Sequence, residues 1–369
     1  MTILHISRRT WISRFVLLAF TLSLSGWFGS AARGSEIVTH TLESPSIAGN
    51  MVGIASQRMF QVYLPDGYAE SSRRYPVLYS IPDWSGGTRG YTHKNGLDIA
   101  IEEGRIPSTI AVFIHAQHAG SGIAFLSSPV FGNWETFLIS ELAPFLDREY
   151  RTIPDPRARA LMGRGVGGYS AFILPVLHPG VWGAIGVNDP SLWCMWLYTR
   201  GTSNALSDLR NMPDNFDGYN STDTRAQIMW QIGARVSPNP DTPLFYDHPV
   251  DLNGNWIPEV REKWDAYDLS NPDTLTEYSE TLKDLLSIAI VVPESTSGTN
   301  RSDNISTISQ WEATGINNVV RLDMPGGHSD GKPERFIAMA EVILNAMIGA
   351  EVSPRGKVAA LWGEIKQNW

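Results

Sequence analysis

Cysteine is almost missing from this sequence, which has one, Cys194, in 369 residues. A lone thiol cannot form an intrachain disulfide, and it excludes a zinc site built from several cysteines. Basic residues are also in the minority, with 29 Lys+Arg against 38 Asp+Glu and a formal net charge of −9. That balance argues against a broad nucleic-acid-binding surface. The remaining composition, 43% hydrophobic and 18% charged, is that of an ordinary globular protein.

The first 32 residues have the pattern of an export signal. Three arginines and no acidic residue precede the apolar run Val16–Leu24, and Ser30–Ala32 offers small residues for cleavage. The Arg8-Arg9 pair resembles a twin-arginine signal, with an ordinary Sec signal as the alternative. No later apolar run reaches the roughly 18 residues that a membrane span requires. We therefore expect a periplasmic or secreted protein without a membrane span.

In the rest of the chain, short apolar segments of strand character alternate with helical patterns. Strands are predicted at Met59–Leu64, Tyr75–Ile81, Thr109–His115, Ala158–Gly163, Trp182–Val187, Ser287–Val292 and Val319–Met324. Helices are predicted at Gly96–Glu103, Trp134–Tyr150, Tyr169–Leu177, Pro258–Tyr267, Ile305–Thr314 and Lys332–Ile348. Strand, helix and strand in succession form the βαβ unit of a parallel sheet. The order predicts an α/β fold with a mostly parallel central sheet.

One α/β domain is predicted over residues 33–349. Residues 202–276 are rich in Asn, Asp, Pro and Tyr, which indicates an insertion or cap over the sheet. Residues 350–369 form a C-terminal tail whose apolar side chains favour docking on the domain.

A glycine-rich stretch, Arg159–Ala171 (RALMGRGVGGYSA), has the pattern of a strand that turns sharply into a helix. Such a turn is the nucleophile elbow of α/β-hydrolases. With WETFLISELAPFLDREYRT before it, and LHPGVWGAIGV and PGGHSDGKPERF after it, the stretch resembles the putative esterase family. That family includes esterase D, feruloyl esterases, enterochelin esterases and mycolyltransferases. The resemblance runs from about Met51 to Ile348 and implies an α/β-hydrolase fold.

The resemblance places a glycine where the family has its nucleophilic serine. The family pattern G-x-S-x-G-G begins here at Gly163, so Gly165 occupies the serine position. Glycine has no oxygen to attack an acyl carbon, which excludes the serine acyl-enzyme route. Two neighbouring side chains are poor substitutes, because Ser170 lies within the following helix and Cys194 lies among tryptophans.

The oxyanion hole that the resemblance implies is expected to be incomplete. The family has His-Gly after the strand that corresponds to Tyr75–Ile81, whereas this sequence has Pro82 and Asp83, followed by Trp84 in the cleft. Proline has no amide hydrogen to donate, and a carboxylate would repel a developing oxyanion. Val166, after the elbow, retains its amide, so half of the hole is expected to remain.

The family's catalytic histidine is matched by His328, in the run Gly-Gly-His-Ser between a strand and a helix. The resemblance implies an orienting acid soon after Ser287–Val292, but the aligned position holds none. Glu294 and Asp303 flank that position and are the candidate acids, unless both are ordinary loop carboxylates.

No metal or cofactor is expected. His115 and His118 trail a core strand into a loop, which is weak support for a metal pair. The acids of Asp251–Glu262 have the spacing of a calcium loop, but Trp256 stands where that loop needs glycine.

The sequence leaves two principal functions open. The first is a catalytically degenerate esterase-family protein that binds a small ester- or carbohydrate-linked ligand in the inherited cleft. The alternative is an active carboxylic-ester hydrolase or acyltransferase with a non-standard nucleophile, such as water, and His328 as base. A third interpretation gives the elbow a packing role alone.

Overall fold

The structure, a computed structural model, describes residues 34–83, 87, 90–116, 125–190, 224–296 and 298–352. An eight-stranded sheet crosses this part of the chain in the order β1-β2-β4-β3-β5-β6-β7-β8. Its strands are β1 (Glu36–Glu43), β2 (Gln57–Leu64), β3 (Val77–Ile81), β4 (Ile110–Ile114), β5 (Arg159–Arg164), β6 (Ala184–Asn188), β7 (Ser287–Pro293) and β8 (Val319–Met324). The pairs β1–β2 and β2–β4 are antiparallel, and all other neighbours are parallel.

This architecture confirms the predicted α/β-hydrolase fold with a mostly parallel sheet. The seven predicted strands all occur within a few residues of their expected bounds. The strand that the sequence pattern did not reveal is β1, which lies at the sheet edge with its residues half-buried or exposed. Because an edge strand that packs on one neighbour needs few apolar side chains, its sequence EIVTHTLE carries a weak hydrophobic signal.

Helices cover the sheet on both faces. They are α1 (Gly90–Glu102), α2 (Trp134–Thr136), α3 (Ala143–Glu149), α4 (Val166–Leu177), α5 (Thr224–Val236), α6 (Pro258–Asp265), α7 (Pro272–Asp284), α8 (Gly298–Ala313) and α9 (Lys332–Val352). The predicted helix Trp134–Tyr150 contains a π-helical turn, Phe137–Leu142, between α2 and α3. Pro144 follows this turn and has no amide hydrogen for the helical ladder, a common reason for a local change of helix type.

Two apolar layers hold the helices against the sheet. In β5, Leu161 packs in the layer beneath α4, whereas Ala160 and Met162 pack in the layer beneath α1 and α9. This alternation follows from the two-residue period of a strand. Because both faces are covered, the central strands are apolar throughout, as in other parallel sheets.

Residues 1–32, 191–223 and 353–369 are outside the described part of the chain. The predicted signal, part of the predicted insertion and the tail therefore remain predictions. In the described part of the predicted insertion, Trp230 of α5 and Trp264 of α6 are buried in the same apolar cluster as the sheet. Among the described helices, none is both long enough and apolar enough to cross a membrane.

Candidate functional site

The chain turns from strand to helix at Gly165, between the end of β5 and the start of α4. The backbone there has φ 55° and ψ −120°, a conformation that side-chain-bearing residues seldom adopt. Its amide donates to the carbonyl of Asn188 on β6 at 3.1 Å, and its carbonyl accepts from the amide of Tyr169 at 3.0 Å. The sharp turn expected of an elbow is therefore present, with glycine at its tip.

The other glycines of the elbow are required by packing. A Cβ at Gly163 would lie 2.1 Å from the carbonyl oxygen of Gly167. A Cβ at Gly167 would lie 2.2 Å from the carbonyl oxygen of Pro82. Since both obstacles are backbone atoms, neither position accepts a side chain without a shift of the main chain. The glycine pattern thus has a structural cause that is independent of catalysis.

His328 pairs with Asp189, which lies directly after β6. The Nδ1 atom of His328 is 2.6 Å from Oδ2 of Asp189. The histidine side chain is 41% exposed, whereas the carboxylate is fully buried. Because a carboxylate accepts hydrogen bonds, Nδ1 is the donor of this bond, and in the neutral imidazole Nε2 is then the acceptor nitrogen.

Asp189 is held by contacts from several elements. Its Oδ2 also accepts from Oγ1 of Thr296 at 2.9 Å, and its Oδ1 accepts from Nδ2 of Asn304 at 3.1 Å. Its amide donates to the carbonyl of Val291 on β7 at 2.9 Å. Its φ of 43° is uncommon for a residue with a side chain. A buried carboxylate with three donors and a strained backbone is an organised feature rather than a loop residue that is buried by chance.

This pairing corrects the expected position of the acid. Glu294 is exposed just beyond β7, and Asp303 lies on α8 beside the Asn304 that serves Asp189. Neither is the residue bonded to Nδ1 of His328. The acid was expected only after β7, but β6 and β7 are parallel neighbours, so both end at the same sheet edge. An acid directly after either strand can reach the histidine loop, and Asp189 in VNDP was the available signal.

The histidine loop is fastened by a buried arginine, Arg335 of α9. Its Nη1 donates to the carbonyl of Gly327 at 2.8 Å, and its Nη2 donates to the carbonyl of Pro325 at 2.6 Å. Burial lowers the pKa of the Arg335 guanidinium. Asp330 closes the turn by accepting from the amide of Gly327 at 2.8 Å. These contacts hold the loop in one conformation around His328.

At the expected oxyanion position, Asp83 is buried and forms an ion pair with Arg164. Arg164, directly before Gly165, also donates through Nη1 to the carbonyl of His328 at 2.8 Å. The Asp83 carboxylate was expected to repel a developing oxyanion, and in the structure this carboxylate is paired with the Arg164 guanidinium. The contacts also connect β3, the elbow and the histidine loop. Pro82 is buried there as well, and Trp84 lies outside the described residues.

A small cavity of about 40 Å³ lies at the carboxyl ends of β3, β5 and β6, beside α1 and α9. Its polar lining includes Asp83, Arg164 and Asn188. Oδ1 of Asn188 is buried without a hydrogen-bond partner. The cavity is large enough for a few water molecules.

The other residues singled out from the sequence take structural places or fall outside the described chain. Ser170 is buried on α4, where its Oγ donates to the carbonyl of Val166 and accepts from the amide of Phe125, each at 3.0 Å. Asp251 accepts from backbone amides of its own turn. Burial lowers the pKa of His115. His118 and Cys194 lie outside the described residues. Within the described part of the chain, no group of three metal-binding side chains occurs.

Comparison with known proteins agrees with this architecture. Residues 53–319, more than two thirds of the chain, match the family model described as Putative esterase. An esterase of Mycobacterium tuberculosis is 36% identical over 116 residues, which cover 30% of this chain and 24% of that protein. An endo-1,4-β-xylanase/feruloyl esterase of Xylanibacter ruminicola is 30% identical over 135 residues, which cover 34% of this chain and 19% of that protein. The match thus covers about a quarter or less of the length of these curated relatives.

Solved structures share the fold at low sequence identity. A ferulic acid esterase superposes with a TM-score of 0.57 at 17% identity and covers 85% of this chain and 99% of its own. An S-formylglutathione hydrolase of Staphylococcus aureus superposes with a TM-score of 0.54 at 12% identity and covers 84% of this chain and 99% of its own. These likenesses establish the common fold, while the chemistry depends on the residues at the site.

Proposed function

This chain belongs to the putative esterase family of α/β-hydrolases, and from that premise we propose an exported protein that binds an ester- or glycan-like ligand without forming an acyl-enzyme. The observation that carries the proposal is Gly165 at the tip of the elbow. The covalent route of a serine esterase needs a hydroxyl at that point, and glycine supplies none. The protein is degenerate in this respect.

The proposed ligand cleft lies at the carboxyl ends of β5 and β6, where the side chain of Arg164, the residue before Gly165, donates to the carbonyl of His328. Ligands of open α/β sheets bind at this edge of the strands. The ester class is supported by family membership and by the names of the relatives, which include esterases and a feruloyl esterase. Ester-linked plant phenolics and acylated sugars are accordingly the first ligands to test.

An active carboxylic-ester hydrolase or acyltransferase with a non-standard nucleophile is the second candidate. The observation that favours it is the hydrogen bond between Asp189 and His328, because a protein that only binds a ligand has no need of an oriented base.

Binding can be tested at the site itself by NMR on mature protein with isotope-labelled histidine. Methyl ferulate and an acetylated xylo-oligosaccharide serve as probes, and the His328 resonance is assigned by its loss in His328→Ala. We expect a saturable shift of that resonance with at least one probe, unchanged in Glu294→Gln, which alters an exposed carboxylate. Saturation without any movement of the His328 signal, or no saturation with either probe, would contradict the proposed cleft.

Two further measurements address the remaining parts of the proposal. A fluorophosphonate, which reacts with activated serines, is expected to leave the native protein unlabelled. The exported protein is expected to begin after Ala32, as N-terminal sequencing will show. Labelling of the native chain, or a retained leader in the exported protein, would count against the corresponding part.

A further inference from the structure

We propose that this protein hydrolyses its ester directly, by attack of a water molecule held between Nε2 of His328 and the space left at Gly165. The inference rests on the proposed ligand cleft and adds a reaction to it. No covalent intermediate is formed, so the absent serine is replaced by the solvent nucleophile itself.

The base is already prepared for this step. Nδ1 of His328 bonds to Asp189 at 2.6 Å, which leaves Nε2 as the acceptor nitrogen. Thr296, in the loop after β7, and Asn304, on α8, donate further hydrogen bonds to the same carboxylate. The imidazolium formed when Nε2 takes a proton is therefore stabilised by a fixed, buried negative charge.

The position of the histidine relative to the elbow is also fixed. Arg164, whose backbone directly precedes Gly165, donates to the carbonyl of His328 at 2.8 Å. Arg335 donates to the carbonyls of Pro325 and Gly327, which precede His328 in the same loop. Because contacts from Arg164 and Arg335 fix the position of the histidine loop, the base can act on a water molecule in place of a serine hydroxyl.

The elbow offers both room and polarisation. Gly165 keeps the backbone turn of an elbow but has no Cβ or Oγ, so the place where a serine would put its hydroxyl is left to a water molecule. The first helical bond at the start of α4 runs from the amide of Tyr169 to the carbonyl of Gly165. The amides of Val166 and Gly167, at the start of this twelve-residue helix, are therefore not used by the helical ladder and can stabilise an oxyanion.

The reaction balances with water as the second substrate. Nε2 of His328 removes a proton from water as the water oxygen bonds to the acyl carbon, which gives a tetrahedral oxyanion. The bond from that carbon to the alkoxy oxygen then breaks, and the proton on Nε2 passes to the leaving alkoxide. The products are one carboxylic acid and one alcohol, and the histidine returns to its neutral form.

The experiment follows p-nitrophenyl acetate and methyl ferulate with native mature protein, His328→Ala, Asp189→Asn and Glu294→Gln. We expect native turnover, a fall of at least about 100-fold in the first two variants, and no change in Glu294→Gln. Circular dichroism establishes that each variant is folded, and His328→Gln replaces His328→Ala if the latter is not.

Direct attack is distinguished from a hidden nucleophile by the product pattern. We expect no burst of p-nitrophenol, since no acyl-enzyme exists to accumulate. A burst, or turnover that survives loss of His328, would overturn the inference. Binding of methyl ferulate without turnover would overturn it and leave the proposed cleft standing, whereas absence of binding would remove the proposed function as well.

Discussion

The two sides of this site differ in how much of an esterase's catalytic machinery they retain. The base side holds the histidine and its acid, and the acyl side holds the elbow and the expected oxyanion position. On the base side, Asp189 and His328 are bonded to each other, and Thr296 and Asn304 complete the carboxylate. On the acyl side, Gly165 has no hydroxyl, and Pro82 has no amide at the expected oxyanion position. The difference shows that covalent chemistry depends on one side chain, whereas the oriented base depends on contacts among four elements. A single substitution can therefore remove the first and leave the second intact.

The largest effect on stability is expected on the acyl side, at an elbow glycine that packs tightly against main-chain atoms. Gly167→Ala places a Cβ 2.2 Å from the carbonyl oxygen of Pro82, and overpacking against main chain should reduce the free energy of unfolding by more than about 3 kcal/mol. Gly87→Ala, with no atom within 4 Å of the added Cβ, is the matched control. Urea denaturation measures both. Equal stability of the two variants would mean that the elbow glycines are not required by packing.

A buried histidine outside the site, His248, is expected to make the stability of the protein sensitive to acid. This effect must be separated from any effect of pH on the two sides of the site. Burial lowers the pKa of His248 to about 4, from 6.5 in the unfolded chain. The unfolded state therefore binds the proton more tightly, and stability is lost as the pH falls from about 6.5 to about 4, by up to about 3 kcal/mol. His248→Gln should flatten this part of the stability–pH curve, measured by denaturation at each pH. An unchanged acid slope would assign the loss to another group.

The position of the acid gives the next largest effect. Asp189→Asn places an amide among donors from His328, Thr296 and Asn304, and it should lower the free energy of unfolding by about 2 kcal/mol. Glu294→Gln changes the same chemical group at an exposed position, with an expected effect below about 0.5 kcal/mol. Thermal denaturation of the two variants side by side provides the measurement. The reverse order of effects would restore the loop after β7 as the source of the acid.

The smallest effect concerns the anchor of the histidine loop. Arg335→Lys keeps the positive charge but cannot donate to the carbonyls of Pro325 and Gly327 in the same forked geometry. We expect a loss of about 1 kcal/mol in stability and a broader His328 resonance, measured by denaturation and NMR. A sharp, unshifted resonance would show that the loop is held without this fork.

The sequence predicted the fold well because its signals are local. Apolar runs such as Ser287–Val292 identify buried strands, and the glycines around Gly165 identify the elbow. The loop after β3 was also located correctly, at Pro82 and Asp83.

The acid was missed because its place depends on contacts between strands. The Asp189 carboxylate meets His328 across 139 residues of sequence, and its one local signal, a place directly after a buried strand, is shared with ordinary acidic residues at strand ends. The compensation of Asp83 by Arg164 was missed for the same reason, since the two residues are 81 positions apart.

The most direct test of an oriented base beside a vacant nucleophile position is fluorophosphonate labelling of Gly165→Ser. If Asp189 and His328 are aimed at the elbow tip, the serine introduced at position 165 is activated and the variant is labelled. Label should be lost again in Gly165→Ser combined with His328→Ala. A folded Gly165→Ser protein that stays unlabelled, or one that is labelled equally without His328, would contradict the account.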